Sequence, residues 1–135
     1  MKMFAPALAA AAVLAAPLNL APLHAAPRDK GETEFQKLIA GRVPGKPVRC
    51  LSQTSITSSY IIPGKAIVYR VGSRTYVNQP RSGADTLRRH DVLLTRNIGT
   101  NLCRTDSVRL IDRNSRFVRG FVVLGDFVPY TKAKD

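Results

Sequence analysis

A chain of 135 residues has room for one domain and not for two. Its 21 Lys and Arg against 9 Asp and Glu give a formal net charge of +12, a surface that attracts anionic polymers, lipid headgroups and acidic proteins. Its two cysteines have no histidine near either and are far apart, which excludes a four-ligand zinc site and a C-x-x-C redox pair.

Met1-Lys2-Met3 gives a short positive start, and Phe4 to Leu20 follows as an Ala- and Leu-rich apolar run. Leu23-His24-Ala25-Ala26 then offers small residues for cleavage, so residues 1–25 read as an export signal peptide. A retained anchor would need about 20 uninterrupted apolar residues. Pro6, Pro17, Asn19 and Pro22 interrupt this stretch, and nothing after Ala26 could span a bilayer. No cysteine sits near the cut, which argues against an acylated lipoprotein. Cleavage removes Lys2 as the single charged side chain, so the exported part stays strongly basic. The expected localisation is periplasmic or extracellular. There the partners for a basic face are an anionic envelope polymer, a lipid headgroup or an acidic protein. Nucleic acid is disfavoured, because export carries the chain away from it.

Residues 26–47 read as a leader with one short helix. Thr33 is placed to cap it, with Gln36 completing a capping box, and Phe35, Leu38 and Ile39 fall on one face. Gly41 ends it, and Pro44, Gly45 and Pro47 cannot continue it. So short a helix must pack its apolar face on something larger.

Residues 48–130 punctuate at β intervals. Strands are expected at Val48–Leu51, Ile56–Ile62, Ala66–Val71, Arg74–Gln79, Asp91–Thr95, Ser107–Ile111, Phe117–Leu124 and Phe127–Tyr130. Gly72-Ser73 joins the clearest hairpin in a type II′ turn, which opposes Val71 with Arg74, Tyr69 with Tyr76 and Val68 with Val77. Tyr69, Tyr76 and Ile67 then share one face, and Val68 and Val77 the other. Apolar residues on both faces argue for a sheet covered on each side or curled into a barrel. Pro80 to Asp85 reads as a loop, Thr86 to His90 as a helical turn, Ile98 to Asn101 as a turn leading to Leu102-Cys103, and 131–135 as a flexible tail. The fold class is mostly β: a small antiparallel barrel or sandwich preceded by one short N-terminal helix.

Two cysteines in an oxidising compartment are most simply one bridge, Cys50 to Cys103. On loop-closure entropy, that bridge stabilises by roughly 4 kcal/mol, a sizeable share of the about 5–15 kcal/mol available to a small domain.

Hydrolytic chemistry finds little support. A serine nucleophile needs a base, usually His or Lys; the histidines are His24 and His90 alone, and no G-x-S-x-G elbow occurs. His90 and Asp91 are neighbours on an extended segment and point to opposite faces. Among the acids, Asp85, Asp91 and Asp106 are the candidates for a carboxylate pair, and turn preference accounts for each of them. Asp106, close to Arg104, is placed to accept from an arginine across the sheet. No nucleotide loop or calcium loop is present, and neither cofactor nor metal is implied. The alternative enzyme reading is a small envelope hydrolase using these loop carboxylates.

Binding is the stronger expectation. Arg81, Arg88, Arg89, Arg96 and Arg104 cluster around the aperiodic loop, and arginine forks match phosphate and carboxylate oxygens in pairs. Tyr76, Asn78 and Gln79 run into the same loop and offer an aromatic face and amide hydrogen bonds.

The blocks Val48-Arg49-Cys50-Leu51, Ile56, Ala66-Ile67-Val68-Tyr69, Thr75-Tyr76-Val77-Asn78, Leu102 to Arg109 and Leu124-Gly125-Asp126-Phe127 resemble an uncharacterised family of small exported bacterial proteins. The resemblance spans most of Val48 to Tyr130. It implies an exported, cysteine-containing β domain without an assigned activity, and it transfers no catalytic residue. With no cysteine after Cys103, Cys50–Cys103 is the only bridge the chain can make within itself. Taken together, the sequence points to a non-enzymatic binding or structural module of the cell envelope.

Overall fold

The computed structural model describes residues 11–12 and 29–134, so the export signal expected at 1–25 lies almost wholly outside the described residues. In chain order come α1 (Lys30–Ile39), β1 (Arg42–Pro44), β2 (Cys50–Ser52), β3 (Ile56–Ile62), β4 (Ala66–Val71), β5 (Arg74–Asn78), β6 (Val92–Thr95), β7 (Asn101–Cys103), β8 (Ser107–Ile111), β9 (Val118–Val123) and β10 (Phe127–Lys132). Short 3-10 turns occupy Gln53–Ser55 and Ala84–Thr86.

The β4–β5 hairpin organises these strands. Its register is the one the turn dictates: Val71 opposite Arg74, Tyr69 opposite Tyr76, Val68 opposite Val77. Gly72 has φ +59 while Ser73 does not enter the positive region, the pattern of a type II′ turn. Around the hairpin, antiparallel neighbours build a five-stranded sheet in the order β1-β10-β5-β4-β3. A second sheet, β6-β8-β9, and a two-stranded ribbon, β2-β7, complete the domain. The arrangement is sandwich-like, and the strand orders do not close into a barrel.

Alternation along β4 and β5 sends side chains to two separate cores. Ile67, Tyr69 and Tyr76 join Val108, Leu110, Val122 and Phe127 between the large sheet and the other two. There the Tyr69 and Phe127 rings meet edge-on with centroids 5.7 Å apart, the geometry favoured by aromatic quadrupoles. On the opposite face Val68 and Val77 join Ile62 and Ala66 beneath Phe35 and Leu38 of α1. Each side chain fully buried in this way contributes roughly 1.5–3 kcal/mol. The helix thus supplies the cover that the second apolar face of the hairpin requires.

Several local expectations are corrected. Asp29, not Thr33, caps α1: its Oδ1 accepts from the Gly31 N–H at 3.2 Å, and the helix begins earlier than the Thr33–Gln36 box implies. The Gln36 amide instead donates to Glu32 at 2.8 Å. Arg42–Pro44, read as part of the leader after the helix, is an edge strand on β10, where a proline without an N–H is tolerated. For the same reason the segment after Tyr130 is not a loose tail throughout: Thr131 and Lys132 pair with Val43 and Arg42. The strand expected at Val48–Leu51 divides, with Val48 bridging to Phe127 and Cys50–Ser52 pairing with β7.

Cys50 and Cys103 are directly opposite in β2 and β7 and form a disulfide, with Cα atoms 4.0 Å apart. Arg104 N–H donates to the Arg49 carbonyl at 2.9 Å, which leaves the cysteines as a non-hydrogen-bonded pair, where opposed side chains lie closest. The next pair along, Leu51 and Leu102, turns inward and is buried. Two three-residue strands are thereby held by one bridge outside and one leucine pair inside.

Candidate anion-binding groove

The five arginines expected to bind anions divide among three places. Arg81 is structural. Its Nε donates to the Leu124 carbonyl at 2.9 Å and a terminal nitrogen to the Arg104 carbonyl at 3.0 Å, tying the loop after β5 to the turn between β9 and β10. Arg104 is brought beside it but pairs with Asp126 at 3.2 Å. Arg96 lies apart, lining a shallow hollow with Asn97, Ile98, Asn101, Cys103, Thr105 and Asp106. Arg88 and Arg89 face a third place.

That third place is a groove of about 420 Å³ between the segment leading into β6 and the β8–β9 turn. Arg88, Arg89, His90 and Asp91 form one wall, and Asp112, Arg113 and Asn114 the other. A second recess of about 310 Å³ is lined by Ser59, Tyr60, Ile61, Val92 and Leu93 and shares Arg89, Asp91 and Arg113 with the first.

The electrostatics of the groove depend on which charges are already spent. Asp91 is the most buried acid here, its side chain 3% exposed, and it is ion-paired with Arg119, whose Nε approaches Asp91 Oδ1 at 3.3 Å. Arg119 is held in place by a further hydrogen bond to the Thr86 carbonyl at 2.7 Å. Asp112 Oδ1 accepts from the backbone N–H groups of Ser115 at 2.8 Å and Asn114 at 2.9 Å, shaping its own turn. Those bonds, Ser115 first and then Asn114, hold the Asp112 carboxyl below its usual range, so it stays ionised and engaged by its own turn. Arg89 is clasped by both carboxylate oxygens of Glu34 on α1, which raises its already high pKa. Arg113 gives only its Nε, to the His90 carbonyl at 3.3 Å. Among the described residues, Arg88 and the terminal nitrogens of Arg113 are therefore the guanidinium groups of the groove with no protein acceptor.

Arg113 and Arg119 were not among the sequence candidates. Both lie on the β8–β9 hairpin, more than twenty positions from Arg88 and Arg89, and only the antiparallel return of β8 beside β6 brings them together. Linear clustering carries no signal for such a pairing.

Other candidates are placed elsewhere or used differently. Tyr76 and Asn78 are buried, and the Asn78 amide is consumed internally rather than offered to a ligand. Asp106 does not accept from an arginine; its Oδ2 takes the Cys103 N–H at 2.7 Å. Asp91 lines the groove, Asp106 lines the separate hollow beside Arg96, and Asp85 sits in the 3-10 turn at Ala84–Thr86. Among the described residues, no three His, Cys, Asp or Glu side chains gather as a metal would require, and no helix is long and apolar enough to cross a membrane.

No family model, curated protein or solved structure matches this chain. The resemblance to small exported bacterial proteins accordingly rests on the Val48–Tyr130 sequence blocks alone.

Proposed function

We propose that the exported chain is a non-enzymatic binding module of the cell envelope, taking up an anionic polymer that carries phosphate or carboxylate groups. The observation that carries this reading is the pairing pattern in the groove. Its two carboxylates are occupied by Arg119 and by turn N–H groups, while Arg88 on one wall and Arg113 on the other keep free guanidinium ends. Two forks facing one groove suit successive anionic groups along a strand of polymer. The strongly basic balance, +12 over the full sequence and only one unit less without Lys2, adds long-range attraction that brings such a polymer to the surface. A surface disulfide is the kind of crosslink an oxidising compartment supports, in keeping with export.

The envelope-hydrolase alternative gains nothing from the placement of Asp85, Asp91 and Asp106. Asp91 is neutralised by an arginine, and Asp106 is committed to a backbone N–H. A working pair needs two carboxyls flanking one substrate bond.

The test uses labelled polyphosphate and polygalacturonate as probes, titrated against the disulfide-intact protein at low and moderate salt. Binding to at least one probe that weakens as salt rises is expected. Arg88→Gln/Arg113→Gln should weaken it more than Lys46→Gln/Arg74→Gln, which removes equal charge elsewhere. Equal losses from both double variants would reduce the groove to undirected surface charge and remove the proposal.

A further inference from the structure

The sheet β6-β8-β9 has an outer face that an ordinary solvent-facing sheet would not have. Val108, Leu110 and Val122 are fully buried inward, so alternation turns Arg109, Ile111 and Phe121 outward. Register then aligns two cross-strand rows on that outer face: Val92–Ile111–Val118 and Leu94–Arg109–Phe121. Five of the six positions are apolar, where solvent-facing strands usually carry polar residues. Phe121 is 61% exposed, Val118 56% and Val92 40%. Phe117, at the adjoining hairpin tip, is 76% exposed. Contiguous apolar surface of this kind marks an interaction site.

The charges around the patch identify what it meets. Arg109 stands within the second row, and Arg113 and Arg116 occupy the hairpin tip beside Phe117. Arg116 is held there in a left-handed conformation (φ +61), unique among the described non-glycine residues. No acid lies in either row, and the one acid of the tip, Asp112, spends its carboxylate on the turn N–H groups. A second copy packed face to face would bury Arg109 of each molecule against apolar side chains with no acid to meet it, an expensive arrangement. A layer of lipid phosphates offers both of the required environments, acyl and glycerol surface for the phenyl rings and anionic oxygens for the guanidinium groups.

We propose that this outer face docks on an anionic phospholipid surface, with Phe117 and Phe121 entering the interface and Arg109 and Arg116 engaging headgroup phosphates. The site is separate from the polymer-binding reading in that it needs neither Arg88 nor Arg113.

The experiment is co-sedimentation of the disulfide-intact protein with vesicles of phosphatidylcholine alone and of phosphatidylglycerol and phosphatidylcholine in equal parts. Binding to the mixed vesicles and not to the neutral ones is expected. Phe117→Ser/Phe121→Ser should weaken that binding about tenfold or more, since two phenyl rings half-buried in the lipid interface would together supply at least that factor. Both rings are exposed, so the thermal melt of this variant should match that of the parent protein. Its affinity for polyphosphate or polygalacturonate should also be unchanged, while Arg88→Gln should leave vesicle binding intact. Equal sedimentation with both vesicle types, or full retention of binding by the phenylalanine variant, would overturn the proposal. So would a concentration-dependent dimer abolished by the same substitutions, because the face would then be a self-association surface.

Discussion

Asn78 and Gly125 close a two-way hydrogen-bonded pair in the core: the Asn78 side-chain N–H donates to the Gly125 carbonyl at 2.7 Å, and the Gly125 N–H returns to Asn78 Oδ1 at 2.9 Å. The asparagine side chain thereby acts as one more residue of backbone, satisfying both polar groups of a turn that no strand reaches. Asn78 is fully buried, so no water can substitute for it. Asn78→Ala would leave a donor and an acceptor unpaired and is expected to cost roughly 2–4 kcal/mol. Asn78→Asp would keep one acceptor but set a carboxylate oxygen against the Gly125 carbonyl, and should be at least as damaging. Urea titration of the three proteins measures this, and an unchanged midpoint would show that the pair is dispensable.

The disulfide is expected to matter because the strands it joins are so short. β2 and β7 have three residues each, and the bridge closes a sequence separation of 53. Reduction, or Cys50→Ala/Cys103→Ala, should lower stability by about 4 kcal/mol on loop-closure entropy. Melts recorded with and without reductant decide the matter, and superimposable curves would sink the expectation.

Gly31 sets two effects against each other. It lies inside α1, where alanine would ordinarily gain about 1 kcal/mol in helix propensity. It also faces the β3–β4 turn so closely that an added Cβ would overlap the Pro63 carbonyl oxygen, a backbone atom that cannot swing aside. Sterics should win. Gly31→Ala is expected to destabilise the protein and lift α1 from Ile62, Val68 and Val77, with faster hydrogen exchange along the helix as the readout. Stabilisation by the substitution would mean that the helix is not seated here.

How far the sequence discloses the molecule follows from the range of each signal. The β4–β5 hairpin was legible because its turn residues and its pairing lie within a dozen positions, and its two apolar faces correctly imply cover on both sides. The Cys50–Cys103 bridge was legible by count. By contrast, β1 was hidden, because Pro44 and Gly45 read as loop until an edge position on β10 makes them acceptable. The role of Asp29 as cap was hidden by a better-looking box at Thr33 and Gln36. At the groove, Arg88 and Arg89 were visible as a run, whereas Arg113 and Arg119 are joined to them only by tertiary pairing. Arginine composition alone also could not separate Arg88 and Arg113, whose terminal nitrogens have no protein acceptor among the described residues, from Arg81, Arg89 and Arg104, which are spent on carbonyls and carboxylates.

Alkaline conditions should test the main core. Burial pushes the Tyr69 phenol well above its ordinary ionisation range, because a phenolate could not be solvated between the sheets. In the unfolded chain the same phenol ionises near its ordinary value of about 10. The unfolded state therefore releases a proton that the folded state keeps, and stability falls as pH rises above that point. Tyr60, half-exposed on β3, is shifted upward as well, by desolvation first and then by Glu34, and contributes in the same direction. Tyr69→Phe should flatten the alkaline part of the stability profile. A slope identical to that of the parent protein would assign the pH sensitivity to other groups.

Asp91 allows stability and binding to be pulled apart. Its carboxylate neutralises Arg119 at the edge of the groove, and both side chains are largely withdrawn from water. Asp91→Ala would strand a guanidinium that keeps only the Thr86 carbonyl, and removing one partner of a buried pair typically costs about 3–5 kcal/mol. The same change makes the groove one unit more positive, so affinity for polyphosphate at low salt should rise even as the melting temperature falls. Titration of the variant well below its melting temperature reads the two effects separately. Were Asp91 instead a ligand-binding or catalytic carboxylate, its loss would lower affinity or abolish turnover, and a weaker polyanion complex from a still-folded variant would contradict the charge-pairing account of the groove.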